Sequence, residues 1–297
     1  MALGGRGPRL SDHALAPAAR YGGPMPTVVD RDRILTLLGR EFTAITTLVS
    51  DLTDTQWATD SCLPGWTVHD VLSHMMGTEL MLSGQAPPAA DVSHLDHMRN
   101  PVAEANEVWV ESMRPLGGAE MVARWTAVTT ERMASLEAMT QAEFDAPSWT
   151  PVGKDETYGR FMRVRHYDCY MHEHDIRLAL GLPGRGDPDD VSSCLEEVAT
   201  GLGYIVGRKA GLPDGSRVRI GLTGDVERTF LVSVAERAAV VDALDGPVTV
   251  GVELPAALFL RLTGGRHDGP SAPAGEVHLT GDVALAQRLV DSLAFTI

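Results

Sequence analysis

The sequence predicts an N-terminal all-α four-helix bundle joined to a small C-terminal α+β domain. Three observations predict it. Apolar residues recur at helical spacing up to about residue 180. The stretch Gly181-Leu-Pro-Gly-Arg-Gly-Asp-Pro188, three glycines and two prolines in eight residues, then breaks the pattern. Beyond it, short apolar runs alternate with Gly and Asp turns, the signature of strands. The expected division is a disordered tail over 1–27, a helical domain over 28–183 and an α+β domain over 184–297.

The first amphipathic helix opens at Asp30 and carries Ile34, Leu35, Leu38, Phe42, Ile45 and Leu48 on one stripe, to about Leu52. Leu63-Pro-Gly-Trp-Thr-Val-His-Asp70 reads as a turn and a helix start. Thr67 and Asp70, three apart, form a capping box that satisfies free N–H groups of the first turn. This second helix runs through Val71, Leu72, His74 and Met75 to near Gly84. A connection over 85–96 leads to a helical segment over 102–113. A third long helix spans 119–139, with Met121, Trp125, Val128, Met133 and Leu136 on its apolar face; the methionines read as gap-filling core. Residues 146–155, with two prolines and a glycine, read as a loop. The fourth helix is Arg163 to Leu180, free of Gly and Pro and stopped by Gly181 and Pro183. In the C-terminal region one helix is expected over 191–210. Strands are expected over 218–222, 230–234, 248–252 and 277–279, in an antiparallel sheet, with short helices over 255–262 and 283–293.

Composition narrows the function classes. Forty acidic against 25 basic residues give a formal charge of −15, which repels nucleic acid and anionic membrane alike. Lys154 and Lys209 are the only lysines, a usage that, with abundant Ala, Gly and Arg, points to a GC-rich bacterial genome. Cys62, Cys169 and Cys194 are far apart, an odd set that fits a reducing cytoplasm. The first 23 residues hold three arginines and no apolar core of signal-peptide length, so they do not read as a signal sequence; Met25 is a candidate start because helical periodicity begins soon after it. No apolar run reaches the length of a membrane span.

Chemistry concentrates on the fourth helix. Asp168 and His172 are four residues apart, about 400° of helix, so both side chains leave one face a turn apart and can close on one cation. His74 lies on the second helix, where facing helices of a bundle converge on metal sites. Together they form a two-nitrogen, one-oxygen set that suits zinc, Zn2+, or another divalent metal and leaves a position for water or substrate. Asp175, on nearly the same stripe, is placed either to orient a ligand imidazole or to pair with Arg177 or Arg163. Cys169 and Asp70 are competing ligands by reach, the first alternatively an inert buried thiol, the second already engaged by its cap. His166, His174 and Glu173, on other faces, are expected to be solvated.

Two blocks carry a resemblance: Leu63-Pro-Gly-Trp-Thr-Val-His-Asp-Val-Leu-Ser-His74, and Asp168-Cys-Tyr-Met-His-Glu-His-Asp-Ile-Arg-Leu-Ala-Leu-Gly181. Over about residues 28–183 the chain resembles the mycothiol-dependent maleylpyruvate isomerase family, which belongs to the DinB-like metal-binding four-helix bundles. The resemblance implies zinc ligands at His74, Asp168 and His172; the best-known isomerases of the family carry Glu at the acidic position, where this chain has Asp168. The C-terminal segments Leu258-Phe-Leu-Arg-Leu-Thr-Gly-Gly-Arg266 and Val277-His-Leu-Thr-Gly-Asp282 resemble the closing motifs of the family's sterol-carrier-like domain. An arginine of that domain, here Arg266, is implied to face the metal and hold an anionic substrate. The implied activity is that of a thiol transferase or isomerase, with mycothiol as co-substrate and a small electrophilic molecule as substrate. A hydrolase, with Asp70 or Glu79 as base, and a non-enzymatic small-molecule carrier with a structural metal are the alternatives. Oligomeric state is left open by the sequence.

Overall fold

The computed structural model describes residues 27–95, 101–151, 153–266 and 275–295. Most of the expected tail over 1–27, with Met25, lies outside the described residues.

The helical region begins with α1 (Arg31–Val49), where the Asp30 carboxylate accepts from Arg33 N at 2.7 Å and caps the first turn. Its stripe of Ile34, Leu38, Phe42, Ile45 and Val49 is buried. A single-turn α2 (Asp54–Trp57) precedes α3 (Val68–Leu82). The Thr67–Asp70 capping box is present, with Thr67 N donating to Asp70 Oδ2 at 2.9 Å. Next come α4 (Pro101–Met113), α5 (Gly118–Glu137) and a one-turn α6 (Gln141–Phe144). The expected loop over 146–155 is instead an antiparallel hairpin, β1 (Pro147–Thr150) with β2 (Gly153–Thr157). Pro147 sits at the first position of its strand, where a missing donor costs the ladder little. The fourth long helix, α7 (Tyr158–Ala179), starts five residues earlier than expected because Thr157 caps it, accepting from Arg160 N at 3.0 Å. Helices α1, α3, α5 and α7 enclose one apolar core that includes Leu72, Met75, Met121, Trp125, Met162, Cys169 and Ile176.

After the Gly/Pro-rich connection, α8 (Pro188–Tyr204) ends in a π-helical turn over Ile205–Lys209. Five strands follow: β3 (Arg217–Thr223), β4 (Arg228–Val234), β5 (Ala238–Val241), β6 (Val250–Pro255) and β7 (His278–Gly281). Two helices intervene, α9 (Ala256–Thr263) between β6 and β7, and α10 (Val283–Asp291) after β7. The sheet order is β5-β4-β3-β6-β7. It is mixed, not antiparallel throughout. After β5 the chain crosses to the far side of β3 and β6 runs parallel to it, Val218 opposite Val250 and Leu222 opposite Leu254. On β3, Val218, Ile220 and Leu222 point into the second apolar core while Arg217 and Arg219 point away.

α8 has two different faces. Val191, Cys194, Leu195, Val198 and Leu202 join the core under the sheet, together with Tyr167, Tyr170 and Met171 of α7. On the side toward α1 and α7 it presents acids. Glu197 accepts from Arg160 and Arg163, each at 3.0 Å, and Asp190 accepts from Arg40 at 2.9 Å. Because α8 covers this face of α7, two residues expected in solvent are buried. His166 is wholly enclosed, with Nε2 3.1 Å from Asp190, and Glu173 is clamped by Arg185 and Arg177. His174 is half-buried, its Nδ1 2.8 Å from the Tyr170 carbonyl.

Candidate metal centre

α3 and α7 bring His74, Asp168 and His172 together, with one ligand atom from each inside a 4.8 Å cluster. Both imidazoles turn Nε2 toward Asp168, His74 Nε2 standing 3.5 Å from Oδ2 and His172 Nε2 3.5 Å from Oδ1. The ring centroids are 4.8 Å apart and the planes nearly perpendicular. A nitrogen–oxygen hydrogen bond is normally shorter than this. Donors each about 2.0–2.2 Å from one tetrahedral zinc ion stand about 3.3–3.6 Å apart. The residues therefore fit a divalent cation in their spacing and in the chemistry of the donor set. Among the described residues no fourth His, Cys, Asp or Glu joins the group. Both histidines are buried while 31% of the Asp168 side chain stays exposed, so the cluster reaches solvent on the Asp168 side.

The charges around the cluster are fixed by partners. Arg165, one turn before Asp168, donates Nη1 to Asp168 Oδ2 at 2.5 Å and is itself held by Glu79 of α3. Burial alone would raise the Asp168 carboxyl, but Arg165 and His172 outweigh it and hold the group well below the usual carboxylate range. His172 donates or shares its Nδ1 proton with Asp175 Oδ2 at 2.9 Å. Although burial opposes charge on His172, Asp168 and Asp175 together hold its pKa above the ordinary imidazole value. For His74 burial prevails over Asp168 and the pKa is lowered. Its Nδ1 is buried without a partner, under the Trp66 ring, whose centroid is 5.1 Å away. Trp66 in turn donates Nε1 to Glu107 of α4 at 2.5 Å.

The other candidates fall into place around this set. Asp175 meets the ligand candidate His172, and its cationic partner is Arg266; neither Arg177 nor Arg163 fills that role. Arg266, just past α9, reaches α7 and puts Nη2 within 3.5 Å of His172 Nδ1. Cys169 is buried away from the cluster, its Sγ 3.4 Å from Arg165 Nη2, and burial pushes its thiol well above the ordinary range. Asp70 is occupied by its cap and by Arg114 at 3.4 Å. Cys62, exposed as a residue, turns its thiol inward to Asp175 Oδ1 at 3.2 Å. Burial first, then Asp175, push its pKa up to about 12. Sequence reasoning missed Arg165 and Trp66. The spacing of Arg165 and Asp168, an arginine three residues before an acid on one helix, was the available signal for the first.

Fold and site together define a helical N-terminal region that holds a two-histidine, one-carboxylate cluster and is joined to a sheet-containing C-terminal region. Residues 38–177, a little under half of the chain, match the family model described as the mycothiol maleylpyruvate isomerase N-terminal domain. The solved structures with similar folds include the crystal structure of the mycothiol-dependent maleylpyruvate isomerase and that of a histidine-to-alanine mutant of it. Each is 14% identical at a TM-score of 0.56, over 85% of this chain and 93% of the other. At that identity the likeness establishes the shared fold across both regions. A search of curated proteins finds no match.

Proposed function

We propose that this protein is a metal-dependent thiol transferase or isomerase. It uses a low-molecular-weight thiol, mycothiol on the strength of the family-model match, to attack a small electrophilic substrate. His74, Asp168 and His172 would hold zinc or another divalent cation, in a DinB-like four-helix bundle over 28–183, with the sterol-carrier-like region over 184–297 closing one side. The observation that carries the reading is the three-donor cluster, spaced for one ion and open to solvent beside Asp168.

Such a cation, when bound, supplies a Lewis-acid position that lowers a thiol's pKa so that thiolate exists near neutral pH. The chain's own residues prepare that position. His74 and His172 present ring nitrogens, Arg165 fixes the Asp168 carboxylate, and Trp66 covers the histidine rings. Arg266 is the C-terminal region's contribution to the same site. In the isomerase outcome the C–S bond formed on addition breaks again after rotation about the former double bond, so nothing is gained or lost. In the transferase outcome the bond stays and carbon takes up a proton. Hydrolysis is disfavoured because both nominees for a general base are engaged, Asp70 in its cap and Glu79 between Arg132 and Arg165.

A thiol co-substrate and three free cysteines fit a reducing cytoplasm. Among the described residues no helix is long and apolar enough to cross a membrane. Replacing His172→Ala is expected to abolish both stoichiometric zinc and thiol-dependent turnover. Activity retained in that variant without metal would contradict the proposal, and turnover with no thiol added would favour the hydrolase.

A further inference from the structure

Asp175 accepts four hydrogen bonds, about as many as the two oxygens of a carboxylate can take. One comes from His172 Nδ1 at 2.9 Å, two from Arg266 (Nε at 3.1 Å and Nη2 at 2.9 Å), and one from the Cys62 thiol at 3.2 Å. The third guanidinium nitrogen of Arg266, Nη1, donates to the Gly264 carbonyl at 2.6 Å. Every nitrogen of Arg266 is thus engaged within the protein, two of them as a fork on one carboxylate. Only 12% of the Arg266 side chain and 3% of Asp175 are exposed, so the pair is sealed between the end of α9 and α7.

From this geometry we propose that Arg266 is a positioning residue. Acting through Asp175, it fixes the ring and tautomer of His172, so the C-terminal region sets the cation affinity of a cluster built by the helical region. The proposal rests on reading His74, Asp168 and His172 as a cation site. An imidazole has two nitrogens, and only the one without a proton can bind a metal. With Nδ1–H committed to Asp175, the lone pair of Nε2 is directed at Asp168 and His74. An Asp175 left to rotate would release the ring to flip and exchange tautomers. The fork prevents that, because two parallel N–H bonds define the plane of the carboxylate as well as its position. A single ammonium cannot do the same. Gripping substrate, by contrast, would fall to the two N–H groups that remain on a side chain only 12% exposed.

The test is zinc affinity, measured by competition with a chromophoric chelator, for the full-length wild type, Arg266→Ala, Arg266→Lys, Asp175→Asn and the Arg266→Ala/Asp175→Asn double variant. Partners of this kind are worth about 10–100-fold in metal affinity. Arg266→Ala and Arg266→Lys are both expected to weaken zinc by about that factor, and Arg266→Ala to add little once Asp175 is Asn. If Arg266→Ala fails to fold, Arg266→Lys and Asp175→Asn, which keep the site filled, carry the comparison. Zinc held as tightly by Arg266→Lys as by wild type would overturn the proposal. So would unchanged zinc affinity in Arg266→Ala with a raised KM for an anionic electrophile, because the arginine would then serve substrate. Wild-type protein that takes up no zinc at all would sink the metal reading itself, a result distinct from the other two.

Discussion

Arg165 Nε of α7 donates to Glu79 Oε1 of α3 at 3.0 Å, with both side chains almost completely buried. Glu79 lies five residues after His74 and Arg165 three before Asp168, so this ion pair sits about one turn from the cluster on each helix. It fixes the register in which the two helices present their ligands. Glu79 also accepts from Arg132 of α5 at 3.0 Å, and Arg132 donates to Tyr158 at 2.7 Å. Three long helices therefore share one buried anion beside the site.

Removing that anion leaves two guanidinium groups without their common partner inside the protein. Breaking a buried pair from one side costs about 3–5 kcal/mol. Glu79→Ala is expected to lose stability of that order in urea unfolding. It is also expected to bind zinc more weakly, since Arg165 no longer holds a fixed place against Asp168. Unfolding at the wild-type midpoint would show that the pair contributes nothing to the register of α3 and α7.

Gly77 allows α3 and α4 to touch. A Cβ there would lie 2.5 Å from Trp109 Cβ and 2.6 Å from its Cγ, atoms at the root of a buried side chain and not at its flexible end. Gly77→Ala must push α4 outward, and overpacking of this kind costs about 1–3 kcal/mol. Because α4 carries Glu107, the acceptor for Trp66, the displacement should also loosen the indole over His74. A lowered thermal midpoint together with a red-shifted, more quenchable tryptophan emission is the expected result. An unchanged midpoint would mean that α4 is free to move at no cost.

Much of this was legible in the sequence, and the rest was hidden for identifiable reasons. The pairing of Asp168 with His172 follows from helical spacing alone, and the approach of His74 from the convergence of bundle helices. The Thr67–Asp70 box was readable because a cap is a local interaction. His166 and Glu173 were not readable. Nothing within a turn of them announces that α8 covers that face, or that Arg185 from a Gly/Pro-rich connection enters to neutralise Glu173, Asp190 and Glu41. The β1–β2 hairpin escaped because Pro147, Pro151 and Gly153 outweighed its short apolar content. β5 escaped because Ala238-Ala-Val-Val241 is too short to set a period. The parallel pairing of β6 with β3 is a property of chain crossing, to which no local pattern is sensitive.

Glu41 makes the stability of the protein respond to pH. It is fully buried on α1, facing Glu173, Asp190 and Arg185. Burial first, and then the Glu173 charge, raise its carboxyl well above the ordinary carboxylate range, against the pull of Arg185. The folded chain therefore binds this proton more tightly than the unfolded chain does. Its contribution to stability is full below the unfolded pKa near 4.5 and is lost as pH rises toward the folded value. Glu41→Gln has the shape of the protonated acid and does not titrate. Its urea midpoint relative to wild type is expected to rise as the pH is raised above 4.5 toward the folded value. A constant difference over that range would show that Glu41 is ionised in the folded protein.

Cobalt substitution separates an open cluster from a closed structural one. The group has three donors, and among the described residues no further His, Cys, Asp or Glu joins it. Asp168 lies on the solvent side, so an added ligand can approach without unfolding the site. A tetrahedral site with three protein donors keeps one position for an exchangeable ligand. Addition of a low-molecular-weight thiol to the cobalt-loaded protein is therefore expected to produce sulfur-to-metal charge-transfer absorption in the near ultraviolet. Saturation at one thiol per cobalt is expected, with loss of the band in His74→Ala. A visible spectrum indifferent to thiol would mean that the fourth position is filled from within. The protein would then hold its metal for structure, and a carrier role would replace the enzymatic one.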